Sequence, residues 1–173
     1  VLDIACGTGV LIGDYLRWNV ESVTAVDISQ SAIDVARANA VRNGLEGRMD
    51  FLTADVFDLL TELEKKGGKP YDFIILDPPA FTKSRKTVDS ASRGYKEINL
   101  RAMKLLPRGG YLATASCSHF MREDLFIKML ESAARDAGRE LRQIEVRQQA
   151  PDHPILWNVP ETNYLKFFLF QVV

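Results

Sequence analysis

At 173 residues, with 46% apolar and 26% charged side chains, the chain has the make-up of one globular domain built on a single core. A formal charge of −1 excludes wholesale attraction to nucleic acid or to an anionic membrane, so any such partner must be met by a local patch. Two cysteines cannot build a disulfide scaffold, and no apolar run nears the roughly 20 residues of a membrane helix. With no signal-peptide pattern at the start, the expectation is two reduced thiols in a cytoplasmic protein.

The chain opens inside a strand-like run, Val1-Leu2-Asp3-Ile4-Ala5, with no lead-in turn. Residues 1–173 are therefore expected to be one domain of a longer protein, with an N-terminal region outside it. Short β-rich runs at 1–5, 22–27, 49–53, 71–77 and 109–116 alternate with amphipathic stretches at 9–18, 29–43, 55–66, 91–106 and 121–137. That alternation predicts an α/β fold with a mostly parallel sheet and helices on both faces. Asn43-Gly44 and Gly138 supply helix stops. Two further strands, at 141–149 and 164–172, have no helix between them, so they must pair antiparallel as a C-terminal hairpin. Seven strands in all are expected.

The first strand runs into Cys6-Gly7-Thr8-Gly9 and then a helix. Glycines at a strand-to-helix turn let the backbone approach a ligand closely. Eighteen residues after Gly9 the second strand ends in Asp27, followed by Ile28, and the third delivers Asp55, followed by Val56. A carboxylate at a strand tip suits a ribose diol. Either acid could instead cap the helix that follows it, as could Ser29. The loop has neither the Gly-x-Gly-x-x-Gly register of a nicotinamide site nor the Gly-Lys-Ser/Thr of a phosphate loop.

The fourth strand ends in Asp77-Pro78-Pro79-Ala80-Phe81. Two prolines stiffen the turn and donate no N–H, which leaves their carbonyls for an external donor such as a nucleobase amine. The fifth ends in Ser116-Cys117-Ser118-His119. A thiol at a strand tip among small polar residues is a candidate nucleophile if a positive group lowers its pKa; the alternative is a small packing residue. Cys6 reads as packing. Residues 83–104 hold Lys83, Arg85, Lys86, Arg93, Lys96, Arg101 and Lys104 against Asp89 and Glu97, with Tyr95 and Phe81 as aromatic faces. Phosphate contact and base stacking would use such groups, although a solvated helix face would look the same. His119 and His153 read as structural more readily than as bases.

The run Val1–Gly9 resembles the first motif of class I methyltransferases. Asp77-Pro78-Pro79-Ala80-Phe81, Arg93-Gly94-Tyr95-Lys96-Glu97-Ile98-Asn99, Ser116-Cys117-Ser118, Asp152-His153-Pro154 and Tyr164-Leu165-Lys166 resemble the RlmI-type 23S rRNA (cytosine-C5)-methyltransferases along essentially the whole chain. The resemblance implies a Rossmann-like fold, S-adenosylmethionine (SAM) as cofactor, no metal, 23S rRNA as partner, no membrane, a possible homodimer and a PUA-type domain beyond the N-terminus. SAM would then be held by Asp3, Gly7, Gly9, Asp27, Ile28, Asp55, Val56 and Asp77. Asp27 would take the ribose, Asp55 would lie near the adenine amine, and Asp3 would help orient the amino group through the loop or a water. The catalytic pair would be Cys117 and Asp77, with Pro78, Pro79, Phe81, Arg93, Tyr95 and Lys96 on the substrate.

Two departures stand out. The cofactor loop lacks the Phe-Ser-Tyr-type sequence of many relatives, and Ala80 occupies the place where broader RNA cytosine-C5 enzymes carry a second cysteine. Only Cys117 is left to attack C6 of a flipped cytosine. The rivals are methylation of an exocyclic amine and a SAM-binding RNA module without turnover.

Overall fold

The computed structural model describes every residue of the chain except Lys83. Strands β1 (Leu2–Ile4), β2 (Val23–Asp27), β3 (Met49–Thr53), β4 (Phe73–Leu76), β5 (Tyr111–Ser116), β6 (Leu141–Arg147) and β7 (Lys166–Val172) form one sheet in the order β3-β2-β1-β4-β5-β7-β6. The first five are parallel, and β7 lies antiparallel to both β5 and β6. Strand order reverses between β1 and β4, which opens a crevice at their carboxyl ends, where α/β sheets bind ligands.

Helices α1 (Ile12–Arg17), α2 (Gln30–Arg42), α3 (Val56–Lys66), α4 (Val88–Leu105) and α5 (Glu123–Ala137) follow their strands. Side-chain alternation sorts them onto two faces. Leu2, Ile4, Ile74, Leu76 and Leu112 meet α3, α4 and α5, whereas Val23, Ala25, Ile75 and Ala113 meet α1 and α2. β1 stops one residue earlier than the pattern suggests, because Ala5 turns into the left-handed region at φ 62°. α1 starts three residues later than expected, after Gly9 has turned at φ 82°. α5 ends as predicted, on Gly138 in a left-handed conformation.

The helix α4 fixes the geometry beneath the crevice. Ala91, Tyr95, Ile98, Ala102 and Leu105 form its buried stripe, at the three- and four-residue spacing of a helix face. Tyr95 meets the ring of Phe126 on α5 edge-on, with centroids 5.6 Å apart, and Phe126 in turn packs 6.0 Å from Phe168 on β7. Phe126 thus joins the helical layer to the antiparallel strands, with no exposed surface. Phe126→Ala should lower unfolding free energy by about 3–5 kcal/mol, measured by urea titration, with an unchanged denaturant slope.

Candidate active site

The loop after β1 is built by backbone geometry and one carboxylate. Gly7 takes a φ of 55°, and a side chain there would meet nothing within 4 Å, so the loop presents bare backbone. Gly9 has a different reason to be glycine: a Cβ would stand 2.4 Å from Cδ1 of Ile12. The loop packs on its own helix at that point. Asp27 at the tip of β2 ties the loops together, its Oδ2 accepting from Gly7 N at 3.0 Å and its Oδ1 from Ser29 N at 2.9 Å. Ser29 caps α2 by accepting from Ala32 N, and Asp55 caps α3 by accepting from Phe57 N at 2.8 Å. For Asp55 the two readings are compatible, since it caps α3 and also lines the crevice; Asp27 lines the crevice while the cap of α2 falls to Ser29.

That crevice is a groove of about 500 Å³ whose wall includes Ala5, Asp27, Ile28, Asp55, Val56 and Phe57 on one side. Asp77, Pro78, Pro79 and Phe81 form the other. The structure thus brings together eight of the residues expected at the cofactor and substrate subsites around one opening. Ile28 is 71% exposed, an apolar side chain that a bound apolar surface would cover. Ala5 and Phe57 were not foreseen. Ala5 holds a left-handed φ that costs an alanine about 1–2 kcal/mol and that a glycine would escape.

Asp3 does not line the groove. It sits 4% exposed on the α1 side of the sheet, accepting from the Tyr15 hydroxyl at 2.7 Å. Burial pushes its carboxyl up to about 6, the Tyr15 hydrogen bond opposing the rise and the charges of Asp77 and Asp27 adding to it. Its place is beneath the loop, which it supports from the α1 side.

The reacting side of the groove rests on Tyr95. Expected to stack on a base, this residue is instead wholly buried, with its ring centroid 4.5 Å from that of Phe81. Its hydroxyl takes the Ser116 hydroxyl at 3.0 Å and the Phe81 N–H at 3.5 Å. Beside it, Ser118 Oγ donates to the Thr82 carbonyl at 2.8 Å. These buried bonds join the loop after β4 to the tip of β5 on both sides of Cys117. Phe81 lies over Gly94, where a Cβ would already meet the ring at 3.3 Å.

Cys117 is half-buried, and both thiols are free. Burial raises its pKa, and the Asp77 carboxylate raises it further. The N–H groups of Cys117 itself and Ala80, together with the Lys166 ammonium, pull the other way. The expected lowering by a positive group is therefore outweighed in the protein alone. Asp77 accepts no hydrogen bond among the described residues and is open to the groove, while partial desolvation by the surrounding protein raises its carboxyl. Cys6 is buried, with its thiol pushed up to about 12, in keeping with packing.

The basic segment divides in two. Lys96 is not free for phosphate: it pairs with Asp136 of α5 at 2.6 Å. Arg101 and Lys104 are held by Glu64, with Glu97 also on Arg101. Arg85, Lys86 and Arg93 are exposed and make no ion pair among the described residues. They follow the Asp-Pro-Pro loop in the chain but are not part of the groove lining. Lys83 lies outside the described residues. His119 stacks edge-on against Phe120, and His153 lies beside Asp152; neither lines the groove. No helix among the described residues is long and apolar enough to cross a membrane.

A parallel sheet reversing at β1/β4, a glycine-turned loop and acids at successive strand tips define a class I methyltransferase architecture. The family described as methyltransferase domain matches residues 1–161, and the chain belongs to it. Ribosomal RNA large subunit methyltransferase I of Erwinia tasmaniensis is 45% identical over 174 residues, which cover 100% of this chain and 44% of that protein. The protein of the same name from Aeromonas hydrophila is 46% identical over 167 residues, 96% of this chain and 42% of its own length. The chain thus spans less than half the length of these relatives, and the resemblance drawn from its motifs is upheld. Among solved structures, the methyltransferase SMU.776 complexed with SAH matches with a TM-score of 0.85 at 23% identity, over 99% of this chain and 44% of that one.

Two measurements follow. Tyr95→Phe removes the shared hydroxyl and leaves Ser116 and the Phe81 N–H short of a partner, so urea titration should show a loss of about 1–3 kcal/mol. Asp3 binds its proton more tightly folded than unfolded, so it favours the folded state when protonated and penalises it once ionised. The stability difference between wild type and Asp3→Asn should therefore move against wild type, by on the order of 3 kcal/mol, as pH rises from the ordinary carboxylate range through about 6. A flat difference would show that Asp3 is already ionised at no cost.

Proposed function

We propose that this domain transfers a methyl group from SAM to C5 of a cytosine in 23S rRNA, with Cys117 as the nucleophile that activates the ring. The observation that carries the reading is the seating of Cys117 against Asp77 and the Ala80 N–H, with the Asp-Pro-Pro wall of the groove alongside. The relatives named ribosomal RNA large subunit methyltransferase I supply the substrate class.

The groove suits SAM on its own chemistry. Asp27 and Asp55 stand at neighbouring strand tips, each oxygen with a lone pair to spare for hydroxyl or amine hydrogens, and Ile28, Val56 and Phe57 offer apolar surface for a purine. Gly7 brings backbone up to the ligand without a side chain. SAM, when bound, contributes an electrophilic methyl on a sulfonium, whose positive charge also favours ionised carboxylates and a thiolate nearby.

Cytosine C5 is a weak nucleophile until C6 is attacked. The Cys117 thiolate adds to C6, and the electron pair displaced from the 5,6 double bond makes C5 nucleophilic. Asp77, whose carboxyl is raised by burial, hydrogen-bonds the ring N3 edge and stabilises its protonated form. A carbonyl of Pro78 or Pro79 accepts from the 4-amino group. After methyl transfer the C5 proton passes to solvent water, its bonding pair re-forms the 5,6 double bond, the C6–S bond breaks to release the Cys117 thiolate, and the N3 proton returns to Asp77. Extruding the base costs a few kcal/mol, which contact with Phe81 in the groove and phosphate contacts from the exposed Arg85, Lys86 and Arg93 would offset.

A second reading has one observation in its favour, the raised Cys117 pKa: an exocyclic amine held by Asp77 and the proline carbonyls would need no thiolate. The two separate on 23S rRNA carrying 5-fluorocytidine, in which the C5 substituent cannot leave. With SAM present, wild-type protein should form an adduct that survives denaturing electrophoresis, and Cys117→Ala should form none. An adduct persisting in Cys117→Ala would rule the nucleophile out.

A further inference from the structure

Lys166 opens β7 in register with Ser116 of β5, one residue short of Cys117. Strand alternation puts it on the core face with Phe168, Phe170 and Val172, and it is 7% exposed, the one buried cation among the described residues. Its Nζ donates to the carbonyls of Ser118 at 2.6 Å and Tyr164 at 2.7 Å, and it forms no ion pair among the described residues. An ammonium buried beside carbonyls alone is costly to keep, and packing does not require a lysine there. One of its three N–H bonds remains without a protein acceptor.

The groups that face this cation come from three elements. They are Cys117 at the tip of β5, Glu123 at the start of α5 and, acting on Cys117 from the end of β4, Asp77. Tyr95 of α4 also lies within the field of Cys117 and Asp77. Asp77 opposes ionisation of the thiol, and among the described residues Lys166 is the one side-chain cation that favours it.

We infer that Lys166 is a positioning residue that supplies the counter-charge of the Cys117 thiolate and offsets the repulsion from Asp77, an inference that rests on reading Cys117 as the nucleophile. Burial lowers the Lys166 ammonium to about 8. Thiol and ammonium therefore titrate as a pair. The first proton to leave gives either a neutral amine beside a thiol or an ammonium beside a thiolate. Two carbonyls at 2.6 and 2.7 Å are acceptors with charge-assisted geometry, and they favour the ammonium. While the ammonium keeps its proton, its charge eases ionisation of the sulfur against the opposing Asp77.

The test compares Lys166→Arg, which keeps the charge, with Lys166→Gln, which keeps N–H donors for the two carbonyls but has no charge. Iodoacetamide labelling of Cys117 is followed against pH by peptide mass spectrometry, with neither RNA nor SAM present. Lys166→Gln should move the midpoint up by about one pH unit or more, a roughly tenfold slower labelling at a given pH below it, while Lys166→Arg stays close to wild type. Lys166→Met is the second neutral variant should Lys166→Gln fail to fold. Superimposable profiles for the charged and neutral variants would overturn the proposal and leave Lys166 a tie between two carbonyls. Because labelling needs no substrate, a Cys117→Ala protein that still traps 5-fluorocytidine would overturn the nucleophile reading while this comparison stood.

Discussion

Two buried hydroxyl contacts hold the reacting side of this domain in place. Tyr95 reaches up from α4 to join Ser116 and the Phe81 backbone, and Ser118 reaches across to the Thr82 carbonyl. The loops they join would otherwise be independent, since pairing of β4 with β5 ends at Leu76 and Thr114, before either loop begins. Hydrogen bonds in a dry interior are costly to leave unmade, so each loop fixes the other. Cys117 lies between the two ties. Its approach to Asp77 and Ala80 is a consequence of α4 packing, which in turn depends on Phe126 and the antiparallel strands behind it.

The same end of the sheet gathers negative charge. Burial raises the carboxyls of Asp3 and Asp77, and the charges of Asp77 and Asp27 raise Asp3 further. Asp27 meets this with two backbone N–H groups and Asp3 with the Tyr15 hydroxyl, whereas Asp77 has neither. An unpaired carboxylate beside a groove is an expense to stability that suits a site where cationic or hydrogen-bond-donating ligands arrive. Lys166 acts on the same thiol in the opposite sense to Asp77, without an ion pair of its own among the described residues.

Much of the architecture was legible because periodicity is strong where elements are long. The alternation of strands and helices, the two glycine stops and the antiparallel final hairpin follow from pattern and connection length. The insertion of β7 between β5 and β6 does not, because no local signal states which strand an antiparallel partner joins. The groove residues Asp27, Ile28, Asp55, Val56, Asp77, Pro78, Pro79 and Phe81 were legible as strand-tip positions. Tyr95 was misread because an aromatic among cations resembles a stacking platform. Its spacing to Ala91, Ile98 and Ala102 already placed it on the buried stripe. Lys96 was misread since its partner Asp136 lies forty residues on, on another helix. Lys166 carried its own signal, a lysine on the same alternating face as Phe168 and Phe170.

The account stands on carbon rather than nitrogen as the acceptor, since the thiol, its counter-charge and the clamp that seats it serve only the first. Nuclease digestion of 23S rRNA after incubation with this protein and methyl-labelled SAM, followed by mass spectrometry of the nucleosides, decides between them. The account predicts the label in 5-methylcytidine. Label in a nucleoside methylated on its exocyclic amine would contradict it.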